Sequence, residues 1–155
     1  MYYRDKALAY ATKWALSRNP SFYDFSSLGG DCTNFCSQCL FAGASVMNYT
    51  PILGWYYNSI NSRAPAWTGV AEFYNFLINN EGVGPYGAQT SLSNLDVGDF
   101  VQLGDESGFY HSLFVSGFDG KIPLICSHSY DRYNAPLTDF YYERIRFIKI
   151  LGVKY

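Results

Sequence analysis

Three residues have the types and spacing for acyl-transfer chemistry: Cys32, His111 and His128. Cys32 stands in Gly29-Gly30-Asp31-Cys32-Thr33-Asn34-Phe35-Cys36, where a glycine turn runs into an amphipathic stretch. Two glycines let the backbone turn sharply and Asp31 is a favoured N-cap type, so Cys32 is predicted at the exposed first position of a helix. A sulfur there lies near unpaired N–H groups and the positive end of the helix dipole, which favours the nucleophilic thiolate over the thiol. The charge of Asp31 opposes a second anion next door unless its carboxylate is occupied in capping.

A thiol also needs a base at neutral pH, and the chain has only two histidines to supply one. His111 opens the apolar run Leu113-Phe114-Val115, which places it at a strand end facing a helix start and makes it the better base. His128 ends the next run, and a hairpin through Asp119-Gly120 brings it near His111, where it can hold that ring in the correct tautomer. Asp131 is the rival for this orienting role, since a carboxylate also stabilises an imidazolium. A strand-end histidine among apolar neighbours is more often structural than catalytic. The joint placement of cysteine and histidine is what favours chemistry.

The elements that must position these groups follow from periodicity. Ala7, Tyr10, Ala11 and Trp14 recur at helical spacing between Arg4 and Ser17, and Arg18-Asn19-Pro20 ends that helix. In the second helix Cys32, Phe35, Cys36, Cys39 and Leu40 form one stripe, and Gly43 follows as its stop. Cys36 and Cys39 therefore read as small buried hydrophobes. A metal pair at Cys36-x-x-Cys39 has no second pair to complete it, so no metal is expected. Residues 48–67 lack periodicity and hold Trp55, Tyr56, Tyr57 and Trp67, an aromatic loop read as a cleft wall or lid that excludes water and contacts substrate. A third helix runs from Thr68 to about Asn80, and residues 82–97 read as loop. The period then changes to that of strands at 100–103, 111–116 and 122–128, with a last candidate from Tyr141 to Leu151. Helices followed by strands imply an α+β class, with N-terminal helices packed on a mostly antiparallel sheet.

At 155 residues the chain fits one domain, 1–155, able to bury roughly two-thirds of its unfolded surface. A formal charge of −2 and a pI near 5.6, without a basic run, argue against nucleic acid as a partner. No leader sequence and no apolar run near the ~18 residues of a membrane span are present, so a membrane is not expected as a partner either. Export remains open if the chain is a domain of a longer protein, which would place it at the cell wall. The cysteines at 32, 36 and 39 are too close on one helix to bridge easily, which leaves the redox compartment open. Aromatic residues make up 19% of the chain, enough that some Tyr must line a surface or cleft where its hydroxyl finds water.

Gly29-Gly30-Asp31-Cys32-Thr33-Asn34-Phe35-Cys36-Ser37-Gln38, Gly54-Trp55-Tyr56-Tyr57, Trp67-Thr68-Gly69, Val97-Gly98-Asp99, His111-Ser112 and His128-x-x-Asp131 together resemble the bacterial "putative amidase domain" family. That family is similar to the papain-like NlpC/P60 and CHAP peptidoglycan hydrolases. The resemblance implies a papain-like fold with the nucleophile at the start of a helix packed on an antiparallel sheet. It implies Cys32 as nucleophile, matching Asp-Cys-Ser-Gly to Asp31-Cys32-Thr33-Asn34, with His111 as base and His128 as the following polar residue. The tyrosine before the nucleophile corresponds to Tyr23. Thr33-Asn34 departs from Ser-Gly, and the third residue varies between relatives, so His128 and Asp131 both stay open.

The expected function is a monomeric cysteine amidase or peptidase acting on peptide or peptidoglycan-like substrate, without metal or organic cofactor. The Cys32 N–H would serve as one oxyanion donor, with Asp31 and the loop aromatics around the substrate. The alternatives are a non-catalytic module that holds wall polymer or a protein through its aromatic loop, and an acyltransferase using the same Cys–His site.

Overall fold

The computed structural model describes all 155 residues. Helix α1 spans Arg4–Trp14 and α2 spans Cys32–Ala44. The aromatic segment contains a two-stranded hairpin, β1 (Tyr57–Ser59) and β2 (Ser62–Arg63), and leads into α3 (Pro65–Thr68) and α4 (Val70–Asn79). Six strands follow: β3 (Gly84–Thr90), β4 (Phe100–Asp105), β5 (Gly108–Asp119), β6 (Ile122–Ser127), β7 (Arg132–Pro136) and β8 (Arg144–Lys154). They form one sheet in the order β3-β8-β4-β5-β6-β7, antiparallel at every pairing. The class is α+β, as the switch of period implies. No helix is long and apolar enough to cross a membrane.

Strand alternation sorts the sheet into two faces. Phe100, Phe114, Cys126, Ile148 and Ile150 turn toward the helices and pack against Phe35, Cys36, Cys39 and Leu40 of α2 and Phe73, Phe76 and Leu77 of α4. Cys36 and Cys39 are core residues, fully buried. The intervening residues Val101, Leu103, Leu113, Val115 and Ile125 face the other side, where Leu95, Leu137 and Phe140 cover them. Each fully buried side chain of this kind contributes ~1.5–3 kcal/mol, so both layers hold the sheet.

The structure departs from the sequence expectation at β7 and at the β1–β2 hairpin, neither of which was expected, and at two further places. Residues 82–97 are not all loop, because β3 pairs along β8 from Gly84↔Lys154 to Thr90↔Phe147. Its Gly-Pro-Tyr-Gly start carries no alternation, and the partner strand alone makes it a strand. Trp55 and Trp67 do not wall a cleft. Both are completely buried, with rings 4.8 Å apart, in the layer beneath α2.

Candidate functional site

Gly29 and Gly30 have φ of +87° and +103°, a region costly for residues with a Cβ, and this turn delivers the chain to α2 at Cys32. The thiol sits where the sheet splits. Pairing of β5 with β6 begins at Phe114↔Cys126, and β6 has already left beyond that point. The N–H of Val115 points to Asp99 on the β4 side, so alternation turns that of Ser112 toward the opened side. There the Ser112 main chain lowers the pKa of the Cys32 thiol. Thr33 Oγ1 lies 3.8 Å from the same sulfur and 2.9 Å from Ser112 Oγ, tying the first turn of α2 to β5.

The expectation of an exposed, thiolate-favouring position is corrected by burial. Cys32 is 8% exposed, and desolvation pushes its thiol up from the ordinary value. The Ser112 main chain and the hydroxyl and main chain of Thr33 pull the other way, while the charge of Asp31 adds to the rise. Burial wins. The resting group is a thiol surrounded by donors.

Asp31 does not cap α2 through its side chain. Its Oδ1 instead accepts the Phe25 N–H and the Asn34 side-chain amide, each near 2.8–2.9 Å, and its Oδ2 binds His128 Nδ1 at 2.5 Å. His128 Nε2 meets the Trp14 carbonyl at 2.8 Å, and the ring stacks on Phe35 with centroids 4.1 Å apart. This buried clasp joins the end of α1, the start of α2 and the end of β6. Both ring nitrogens of His128 are engaged, so neither is free to orient His111, and that sequence expectation is corrected. Asp131 does not fill the role either, since Arg18 holds both its oxygens at 2.9 and 3.0 Å.

His111 lies fourth in β5 rather than at its opening, opposite Leu103. Ser112 faces α2, so alternation turns His111 to the other sheet face, where its ring sits 6.2 Å from that of Phe140. Burial lowers its pKa to about 4, so the ring is neutral at pH 7. The structure brings Cys32 beside the β5 main chain next to His111, but no hydrogen bond joins the two side chains.

Of the remaining predicted residues, Tyr23, Trp55 and Trp67 bond to α2 and Tyr56 does not. The Tyr23 carbonyl accepts from the Asn34 amide, its N–H donates to the Tyr57 hydroxyl, and its ring is exposed. Trp67 Nε1 donates to Asn34 Oδ1 and Trp55 Nε1 to Ser37 Oγ. Tyr56 is half-buried and stacks with Tyr49 at 5.4 Å. Asn34, at the departure from Ser-Gly, thus links Tyr23, Asp31 and Trp67. Its role and those of Thr33 and Ser112 were missed in the sequence. The available signal was a polar Ser112 inside an apolar strand, since a buried hydroxyl requires a partner. A recess of about 590 Å³ lies elsewhere, between α4 and residues 48–53, and none of these site residues lines it.

A family model described as a putative amidase domain matches residues 1–151. The chain is similar to the uncharacterized protein YhbB of Bacillus subtilis (strain 168), 33% identical over 136 residues. That alignment covers 84% of this chain and 42% of YhbB, so the chain spans less than half the length of this curated relative. No solved structure matches the chain. With the match running from the first residue through nearly the whole of β8, the chain belongs to the putative amidase domain family.

Proposed function

We propose that this chain is a cysteine-dependent amidase that cleaves an amide bond in bacterial cell-wall peptide through a thioester on Cys32. The observation that carries the reading is the placement of Cys32, at the first position of α2 with the Thr33 hydroxyl 3.8 Å from its sulfur and bonded in turn to Ser112 of β5. Burial keeps the thiol protonated at rest, so its proton leaves when a base accepts it during attack. His111 is the neutral imidazole on the neighbouring strand able to do so. The ring rests on the other sheet face beside Phe140, so this role requires a local rearrangement of β5 at its open edge when substrate binds.

The thiolate adds to the amide carbonyl, and the free N–H groups at the start of α2 face the oxygen that becomes negative. The tetrahedral adduct then expels the amine, which takes the proton from the His111 imidazolium. Water, deprotonated by the same ring, cleaves the thioester and releases the acid. Asp31 and His128 act here by holding α2 in place. Exposed Tyr23 and half-buried Tyr56 remain to contact substrate. The cell-wall substrate and the papain-like relationship rest on the family resemblance, which the antiparallel sheet and helix-start cysteine support.

Mass spectrometry of purified peptidoglycan fragments after incubation tests the reading. New amine and carboxylate ends are expected with the unaltered chain and not with Cys32→Ala. Adducts formed with an added amine would make the reaction transfer rather than hydrolysis. Fragments left intact by a chain whose Cys32 still alkylates would overturn the proposal.

A further inference from the structure

A buried polar chain leads away from Cys32. Arg146 Nε and one terminal nitrogen donate to Gln102 Oε1 at 2.9 and 2.6 Å. Gln102 Nε2 donates to the Val70 carbonyl at 2.9 Å and to Ser112 Oγ at 3.1 Å. Ser112 Oγ meets Thr33 Oγ1, which in turn approaches the Cys32 sulfur. Gln102 and Ser112 are fully buried and Thr33 is 1% exposed. The Arg146 guanidinium is fixed between the rings of Tyr74 and Phe109, 3.5 and 3.9 Å from their centroids.

The direction of every hydrogen in this chain is forced. Arginine only donates and a carbonyl only accepts, so the Gln102 amide has one possible orientation between Arg146 and Val70. Its second N–H is then aimed at Ser112, whose oxygen must accept. The Ser112 hydrogen has Thr33 as its only acceptor, because the reverse arrangement leaves a buried O–H unpaired. The Thr33 hydrogen is left with the Cys32 sulfur.

We infer that Thr33, Ser112, Gln102 and Arg146 form a one-way donor chain that aims the Thr33 O–H at Cys32 and stabilises its thiolate. These are positioning residues, and the inference rests on reading Cys32 as the nucleophile. No proton travels along the chain. It orients dipoles from the cation toward the site where negative charge appears, offsetting part of the burial that opposes ionisation.

Iodoacetamide alkylation of the full chain across pH tests it, with modification at Cys32 read by peptide mass spectrometry. A hydrogen bond to a charged group at this long S···O distance predicts that Thr33→Val raises the midpoint by about half to one pH unit and slows alkylation at pH 7 about three- to tenfold. Thr33→Ser keeps the midpoint. Gln102→Glu is the second variant, since a carboxylate accepts from both Arg146 and Ser112 and reverses the chain, with its charge answered by Arg146 and the Val70 carbonyl left without its donor. The same rise is expected there, and a smaller one in Ser112→Ala, which leaves Thr33 without the donor that fixes its direction but does not reverse it, so one misfolded variant leaves two others to decide. An unmoved midpoint in the folded variants overturns the inference. Alkylation needs no substrate, so shifted midpoints in a chain without amidase turnover would keep this inference and remove the proposed function. Turnover that depends on Cys32, with unmoved midpoints, would do the reverse.

Discussion

Replacing His128 by alanine separates a structural clasp from a catalytic orienter. The ring is 1% exposed and bridges the Asp31 carboxylate to the Trp14 carbonyl, while stacking on Phe35. Removing it strands a fully buried carboxylate, which breaking a buried pair prices at about 3–5 kcal/mol. The Phe25 N–H, the Asn34 amide and the Arg18 guanidinium, whose Nε lies 3.6 Å from Oδ2, remain on Asp31 and soften that loss, while the freed Trp14 carbonyl adds about 1 kcal/mol, so about 4 kcal/mol is expected. For a domain of ordinary stability this is a large part of the total, and it moves the urea midpoint by about 2 M. Urea unfolding followed by tryptophan fluorescence measures it. In an Asp31→Asn background the same substitution should cost much less, because no unpaired charge is left behind. A variant within about 1 kcal/mol of the unaltered chain that loses about a hundredfold in Cys32-dependent turnover would refute the clasp and return His128 to the reaction.

His111 predicts a distinct acid dependence. Its folded pKa near 4 lies below the ordinary 6.5, so between those values the unfolded chain binds the extra proton, and stability falls as pH drops through that window and is unaffected above it. His111→Phe should abolish a loss of about 3 kcal/mol at pH 4, and equal acid slopes in urea titrations of both chains would exclude this account. Trp67→Phe removes the donor to Asn34 Oδ1 and should cost about 1–3 kcal/mol in thermal or urea unfolding, whereas a free cleft-wall tryptophan would cost almost nothing. Gly87→Ala drives a Cβ into the Lys149 carbonyl oxygen, so β3 should detach and its amides lose hydrogen-exchange protection relative to β4.

What was legible in the sequence is what local physics decides. The glycine pair and the apolar stripe announce α2 beginning at Cys32, and period-two runs announce β4, β5 and β6. Partner choice was not legible. Asp31 has the side chain of a cap, yet its carboxylate is drawn to Phe25, Asn34 and His128, and two of these partners lie outside its helix. His128 stands near His111 on paper because β5 and β6 form a hairpin. The strands separate beyond Phe114 and Cys126, and His128 leaves with its own strand. β3 was hidden for the same reason, since pairing with β8 is a tertiary fact. An aromatic segment without periodicity reads as a lid from composition, and only the packing shows its tryptophans to be core.

That correction changes how the sulfur is placed. Trp67 stacks on Phe22 with centroids 5.9 Å apart and donates to Asn34, while Trp55 packs on Trp67 and donates to Ser37. Asn34 and Ser37 lie one turn apart on the same face of α2. The two indoles therefore fix the rotation of the helix about its axis as well as its distance from the hairpin segment. With the rotation set from one side and the Thr33–Ser112 bond joining the first turn to β5 from the other, Cys32 is fixed beside the stretch of β5 that lies beyond its pairing with β6. The long aromatic segment does for this site what a second sheet or a disulfide does in other folds, holding Cys32 still at the edge of a core. In the proposed reaction substrate contact falls to side chains that no core contact uses up, and Tyr23, with its main chain tied to Asn34 and Tyr57 and its ring exposed, is held beside the start of α2 by the same layer.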